Sequence, residues 1–214
     1  MSADNRRYEY QPGVPARRRE YETIVAWVER GSRVLDLGCG DGSLLARLID
    51  EKNVKAEGME ASPTGVAICR QKGMQVQEGW IDRGGLPWLD QSFDFVVCNV
   101  TIQMVMYPEK LMGEMVRIGR RQILSFPNFG NLRNRWQLLV HGQMPRAMLF
   151  GHDWWNTGHV HQLSVRDFRE FLGKFPVKIV REKHLGAMAQ LGLCRLSPNL
   201  FSTIALFELE GKST

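Results

Sequence analysis

The chain has 214 residues, 43% of them apolar, and a formal charge of +5; this is the size and composition of one globular domain with a substantial core. No apolar run approaches the roughly 20 residues needed to span a bilayer, and the N-terminal stretch lacks the apolar segment of a secretory signal, so neither a membrane association nor secretion is expected. Cys39, Cys69, Cys98 and Cys194 form no C-x-x-C pair and read as small buried hydrophobes in a reducing compartment, which makes the cytoplasm the expected location.

Residues 1–16 are polar and carry Pro12, Gly13 and Pro15, the mark of a flexible arm ahead of a single domain over 17–211. Helical periodicity begins near Arg17, with Tyr21, Ile24, Val25 and Val28 on one face, and Gly31 ends it. The apolar run to Asp36 is a strand, Gly38, Gly40 and Gly42 form a turn in which positive φ is easy, and Ser43 to Ile49 is a helix. Val54 to Met59 predicts a second strand with Glu60 at its tip, Pro63 to Lys72 a helix stopped by Gly73, and Met74 to Gln77 a weaker strand. Phe93 to Asn99 is an apolar strand covered on both faces. Pro108 to Ile118 is a helix with Gly119 at its end, and Gln122 to Phe126 is a strand closed by Pro127.

Strand and helix alternate to this point, which requires parallel pairing with right-handed crossovers and predicts a doubly wound α/β sheet of Rossmann-like type. Residues 128–163 break the rhythm as a helix-and-lid insertion containing a basic amphipathic helix, Leu132 to His141, and a polar aromatic loop. Ser164 caps a helix to Leu172, with Asp167 completing a capping box. Val177 to Arg181 and Phe201 to Glu210 alternate as two terminal strands, bringing the sheet to seven.

A strand, a glycine turn and a helix N-terminus make the nucleotide-binding corner of such a sheet. A dinucleotide loop wants a further glycine where this chain has Ser43. The spacing D-x-G-x-G-x-G over Asp36 to Gly42 instead resembles motif I of the class I S-adenosylmethionine-dependent methyltransferases. That resemblance implies Asp36 near the cofactor's methionine part and Gly38, Cys39, Gly40 and Gly42 beside its ribose and sulfonium; a tight turn without ligand is the competing reading. Glu60, with Ala61 next to it, sits beside the topological switch, where a carboxylate can accept both ribose hydroxyls. Methyltransferases commonly place an aspartate after the glycine that is Gly79 here; this chain has Trp80, so Trp80 or Ile81 would cover the adenine and Asp82 supply an acceptor. Asn99, Val100 and Gln103 follow the fourth strand and should line the site.

His159 and His161 would share one face if extended. A metal site is not expected, because no cysteine ligand or H-x-x-x-H helix accompanies them, and a lid over the glycine loop is the better reading. Either histidine is a candidate base for methyl transfer, and Trp155, Thr157 and His161 are candidate substrate contacts. Arg6, Arg7, Arg17, Arg18 and Arg19, with Arg117, Arg120, Arg121, Arg133 and Arg135, form basic patches. No recognition helix or RNA-binding signature goes with them, so a solvated face is expected rather than nucleic acid.

Beyond the shared loop, the chain from about Glu29 resembles the MetW family of methionine biosynthesis. The matching pieces are VLDLGCGDG, Ser125-Phe126-Pro127-Asn128-Phe129-Gly130, Arg133-Asn134-Arg135 with Gln137-Leu138, Met144-Pro145, Trp155, Thr157 and His161 before Arg166-Asp167-Phe168, and Pro198-Asn199-Leu200. The resemblance implies a methyltransferase fold that binds S-adenosyl-L-methionine or S-adenosyl-L-homocysteine and acts as partner or activator of a MetX-type homoserine O-acyltransferase, with the helix Leu132 to His141 and the lid as docking surface. The other reading is a catalytically active methyltransferase on a small molecule.

Overall fold

Seven strands form one sheet in the order β3-β2-β1-β4-β5-β7-β6. The computed structural model describes residues 9–10, 18–145, 154–155, 157–187 and 192–212. Helix α1 (Arg19–Trp27) leads into β1 (Arg33–Leu37), α2 (Ser43–Lys52), β2 (Lys55–Glu60), α3 (Pro63–Gln71) and β3 (Gln75–Glu78). Then come β4 (Phe93–Asn99), a short 3-10 turn (Ile102–Met104), α4 (Pro108–Ile118), β5 (Gly119–Pro127) and α5 (Leu132–His141). The chain continues through α6 (Val165–Leu172), β6 (Val177–Leu185), the one-turn helices α7 (Leu193–Leu196) and α8 (Pro198–Phe201), and β7 (Ile204–Gly211).

The first five strands pair in parallel, and β7 runs antiparallel to both β5 and β6. Successive residues of the central strands face opposite layers and both layers are apolar: Val34, Phe95, Val97, Ile123 and Leu206 meet α1 and α2, while Leu35, Val96, Cys98, Leu124 and Phe207 meet α4 and α6. Burial on both faces is why these strands read as continuous apolar runs.

Three boundaries differ from the sequence expectation. Gly119 does not cap α4 in a left-handed conformation; at φ −109 it is the first residue of β5, so helix and strand join with no linker. β6 runs on to Leu185 through Arg181, Glu182, Lys183 and His184, whose charges suit an edge strand and hide its apolar alternation. β7 starts at Ile204 because Pro198 opens a helical turn over Pro198–Phe201 instead. The capping box at Ser164 and Asp167 forms in both directions.

The strand order reverses between β1 and β4. The carboxyl ends of those two strands therefore diverge into a crevice, the position where open α/β sheets bind ligands.

Candidate functional site: a two-lobed cleft at the switch point

A narrow slot of about 70 Å³ is lined by Glu60, Ala61, Gly79, Trp80, Ile81 and Asp82. A wider, more polar lobe of about 450 Å³ is lined by Asp36, Cys39, Gly40, Asn99, Val100 and His159, with Arg18 and Tyr21 from the start of α1. Tyr10, Gly38, Thr101 and Met104 border both.

Glu60 is 6% exposed and anchors the slot. Its Oε2 accepts the Gly40 N–H at 2.8 Å and its Oε1 the Ser62 N–H at 2.8 Å, which ties the glycine loop to the tip of β2. Burial raises its pKa and the bonds from Ser62, Gly40 and Ala61 oppose the rise. Three donors on two oxygens leave one lone pair, so the carboxylate can still accept from a hydroxyl in the slot.

Asp36 is the opposite case. It is 2% exposed, and its Oδ1 has no hydrogen-bond partner among the described residues. Burial, and after it the charge of Glu60, push its pKa up to about 7. A buried carboxyl left this way costs free energy unless a cationic or donor group comes to it.

The three loop glycines all have positive φ, 82°, 60° and 74°. The space their missing side chains leave is filled by the protein itself. A Cβ on Gly38 would stand 2.6 Å from Thr101 Cγ2, one on Gly40 3.0 Å from the Tyr10 hydroxyl, and one on Gly42 2.7 Å from Met74 Sδ. Gly42 thus packs the loop against the α3 to β3 turn and does not line the cleft. Cys39 borders the wide lobe with its thiol turned back against Gly58, while the Cys69 thiol donates to the Gly40 carbonyl.

Val100, a β-branched residue, has φ 51°, a left-handed conformation that such residues avoid. Its N–H donates to the Ser125 carbonyl and to Ser125 Oγ, each at 3.0 Å, and its carbonyl accepts from Gln103 Nε2 at 2.9 Å. Ser125 Oγ also donates to Asn99 Oδ1 at 2.6 Å. The strain is held by its neighbours at the edge of the cleft, the usual setting for strained backbone. Gln103 is 1% exposed and does not line the cleft; its carbonyl accepts the N–H groups of Val160 and His161, tying the lid segment to the 3-10 turn.

The two histidines separate. His159 borders the wide lobe, whereas His161 opens on another cavity with Ile102, Phe168 and Phe171 and keeps Nε2 buried without a partner among the described residues. Trp80 borders the slot and carries Arg83 over its ring at 5.1 Å. Asp82 faces the slot too, but its Oδ2 accepts from the Met106 and Tyr107 N–H groups and so positions the turn before α4. No group of three or more metal-ligating side chains occurs among the described residues, and no described helix is long and apolar enough to cross a membrane.

Arg18, Tyr21, Thr101 and Met104 escaped the sequence reading, as did Tyr10. Tyr10 lies in the stretch expected to be a loose arm, yet its N–H donates to Thr64 Oγ1 and its ring covers Gly40 and Gly65. Its hydroxyl is pushed above its ordinary pKa by burial and by Glu60. The only local signal was an aromatic residue in a polar segment.

A second polar cluster stands at the exit of β5. Asn128 is fully buried: its Nδ2 donates to the carbonyls of Asn199 and Ser202 and to Ser202 Oγ, and its Oδ1 accepts from the N–H groups of Gly130 and Val165. Asn131 caps α5 by accepting the Asn134 N–H, and Asn134 Nδ2 returns to the Phe129 carbonyl at 3.0 Å. Together they lock the first turn of α5 to β5, α6 and α8.

The sequence profile of the family described as "Methionine biosynthesis protein MetW" matches residues 18–209. A bifunctional methionine biosynthesis protein MetXA/MetW of Rhodopirellula baltica is 34% identical over 170 residues, 75% of this chain and 27% of that protein, so the chain spans about a quarter of that relative's length. A methyltransferase in complex with the Trm112 activator of Haloferax volcanii superposes with TM-score 0.64 at 18% identity, covering 90% of this chain and 88% of that one. An S-adenosylmethionine-dependent methyltransferase from Mesorhizobium loti gives 0.64 at 19%, covering 89% and 97%. These likenesses show the class I methyltransferase fold, and the profile match over nearly the whole chain shows that it belongs to the MetW family of methionine biosynthesis proteins.

Proposed function

We propose that this chain binds S-adenosylmethionine in the two-lobed cleft and serves methionine biosynthesis as partner or activator of a MetX-type homoserine O-acyltransferase. The observation that carries the ligand half is Asp36, a buried carboxyl that borders the polar lobe and has an oxygen without a partner among the described residues. S-adenosylmethionine, when bound, supplies an electrophilic methyl group on a cationic sulfonium together with an α-amino-acid end. In this reading Asp36 meets positive charge, Glu60 accepts from the ribose, Trp80 and Ile81 enclose the base, and Tyr10 closes the rim. S-adenosylhomocysteine, without the sulfonium charge, fits the same groups.

The partner half is supported by the relative in which MetXA and MetW share one polypeptide, since a covalent link holds two units at high effective concentration. A methyl-transferring enzyme is the second reading, favoured by His159 at the wide lobe, where it is a candidate base. His161 is not available to that role, because it faces the other cavity.

Calorimetry with S-adenosylmethionine and S-adenosylhomocysteine tests the ligand, and acyltransferase rates with and without this chain test the partnership. Saturable binding together with acyltransferase activation and no cofactor turnover is the expected result. Failure of both ligands to bind removes the cofactor assignment, and steady cofactor consumption with a small acceptor establishes the second reading.

A further inference from the structure

Helix α5 is amphipathic in the wrong sense. Surface helices turn their apolar stripe to the core, but here the residue that is buried is Asn134, while Leu132, Trp136, Leu139 and Val140 are 45%, 62%, 80% and 50% exposed. Those four stand at i, i+4, i+7 and i+8, one face of a 3.6-residue helix, with Arg133 and Arg135 flanking it on either side and Asn134 opposite. The helix carries no acidic residue. Its first turn is fixed by the Asn128, Asn131 and Asn134 network and by Arg135 Nε donating to the Gly130 carbonyl at 2.6 Å. A helix socketed this firmly by buried polar groups, with a large aromatic and three aliphatic side chains facing water, is arranged as a helix-in-groove ligand. Its aromatic anchor between two arginines has the composition of an interface centre.

We infer that the Leu132, Trp136, Leu139 and Val140 face of α5 is the surface that docks on the homoserine O-acyltransferase, seating in an apolar groove rimmed by carboxylates. This rests on the partnership proposed above and names the part of the chain that makes it. The commitment to the acyltransferase follows from two observations: the relative that carries both units in one chain, and the purely basic flanks of the stripe, which disfavour a second copy of the same helix lying against it by repulsion of like charges.

The test is binding of the purified chain to the purified homoserine O-acyltransferase of the same source, by calorimetry, for the wild type, Leu139→Glu, Arg133→Glu and a control, Leu89→Glu, at a residue equally exposed but on the β3 to β4 connection. Leu139→Glu is expected to weaken binding about thirtyfold and Arg133→Glu about fivefold, with Leu89→Glu unchanged and all melting temperatures within a degree or two of wild type. Equal binding by Leu139→Glu and wild type overturns the docking face and leaves the partnership standing. Absence of any wild-type complex removes the partnership, and the docking face with it. A fall in the lone chain's sedimentation coefficient in Leu139→Glu assigns the face to a second copy, and a melting temperature lowered as by a core substitution assigns it to the chain's own packing; either result overturns the inference.

Discussion

Two polar clusters stand at the carboxyl ends of β5 and β1, the strands on either side of β4, and are finished differently. At the tip of β5, Asn128 uses both its donors and its acceptor within the protein. Near the tip of β1, Asp36 is as deeply buried and leaves an oxygen without a partner among the described residues. Asn128 is satisfied within the protein and serves to hold a shape; Asp36 carries a cost that a donor or cationic group can relieve. Polar satisfaction therefore sets Asn128 and Asp36 apart where burial alone does not, although Asn134 Oδ1 beside the first is also buried without a partner among the described residues.

The sharpest way to break this comparison is to remove Asn128. Asn128→Ala strands the N–H groups of Gly130 and Val165 and the carbonyls of Asn199 and Ser202 in a buried place, and is expected to cost about 3 kcal/mol in chemical denaturation. A loss below about 1 kcal/mol would make the socket dispensable and end the contrast.

Asp36→Asn should act in the other direction on stability. With its carboxyl titrating near 7 in the fold against 3.8 ordinarily, the unfolded chain gives up the proton first as pH rises. Stability without ligand therefore falls between about pH 4 and pH 7 and stays low above that. Asn at this position should flatten that slope and raise the melting temperature at pH 8, with a stabilisation of about 2 kcal/mol. This is less than the full shift would give, because solvent in the lobe relaxes the charge. Affinity for S-adenosylmethionine should drop about thirtyfold in the same variant. An unchanged affinity would show that the unpartnered oxygen is not a ligand contact.

Gly42→Ala separates loop packing from ligand contact. With φ 74° and Met74 Sδ and Cys69 Sγ at 2.7 and 2.9 Å from a new Cβ, it should destabilise the fold by about 2 kcal/mol while leaving the number of ligand sites per chain, read by calorimetry at low temperature, at one. The smallest effect belongs to Tyr10→Phe. It retains the ring over Gly40 and Gly65, so ligand affinity should change less than threefold, whereas Tyr10→Ala should weaken it about tenfold.

The sheet, its order of elements and the loop were legible in the sequence because each rests on local rules: continuous apolar runs for doubly covered strands, glycine where φ is positive, Pro63 and Ser164 at helix starts. The place of Glu60 beside the crevice was legible because it follows from position at a strand tip. Arg18, Tyr21 and Tyr10 were not, since they reach the cleft from segments with no periodic relation to it. The divergence of His159 and His161 was hidden because it depends on the backbone bonds from Gln103 rather than on strand alternation. The apolar stripe of α5 was visible as a period, but a period does not say whether the stripe faces core or water; that needed the observation that Asn134 is the buried residue.

Ser125 links the two clusters. Its hydroxyl grips Asn99 and Val100 at the cleft, and three residues further on, just past the end of β5, Asn128 roots α5. That separation is about 10 Å of extended chain, paired with β4 as far as Ser125 and with β7 as far as Pro127. The crevice and the outward helix are in this sense two fittings on one strut. If tightening of Asn99 and Val100 reaches the orientation of α5, seizing α5 must act back on them equally, as reciprocity of coupled sites requires.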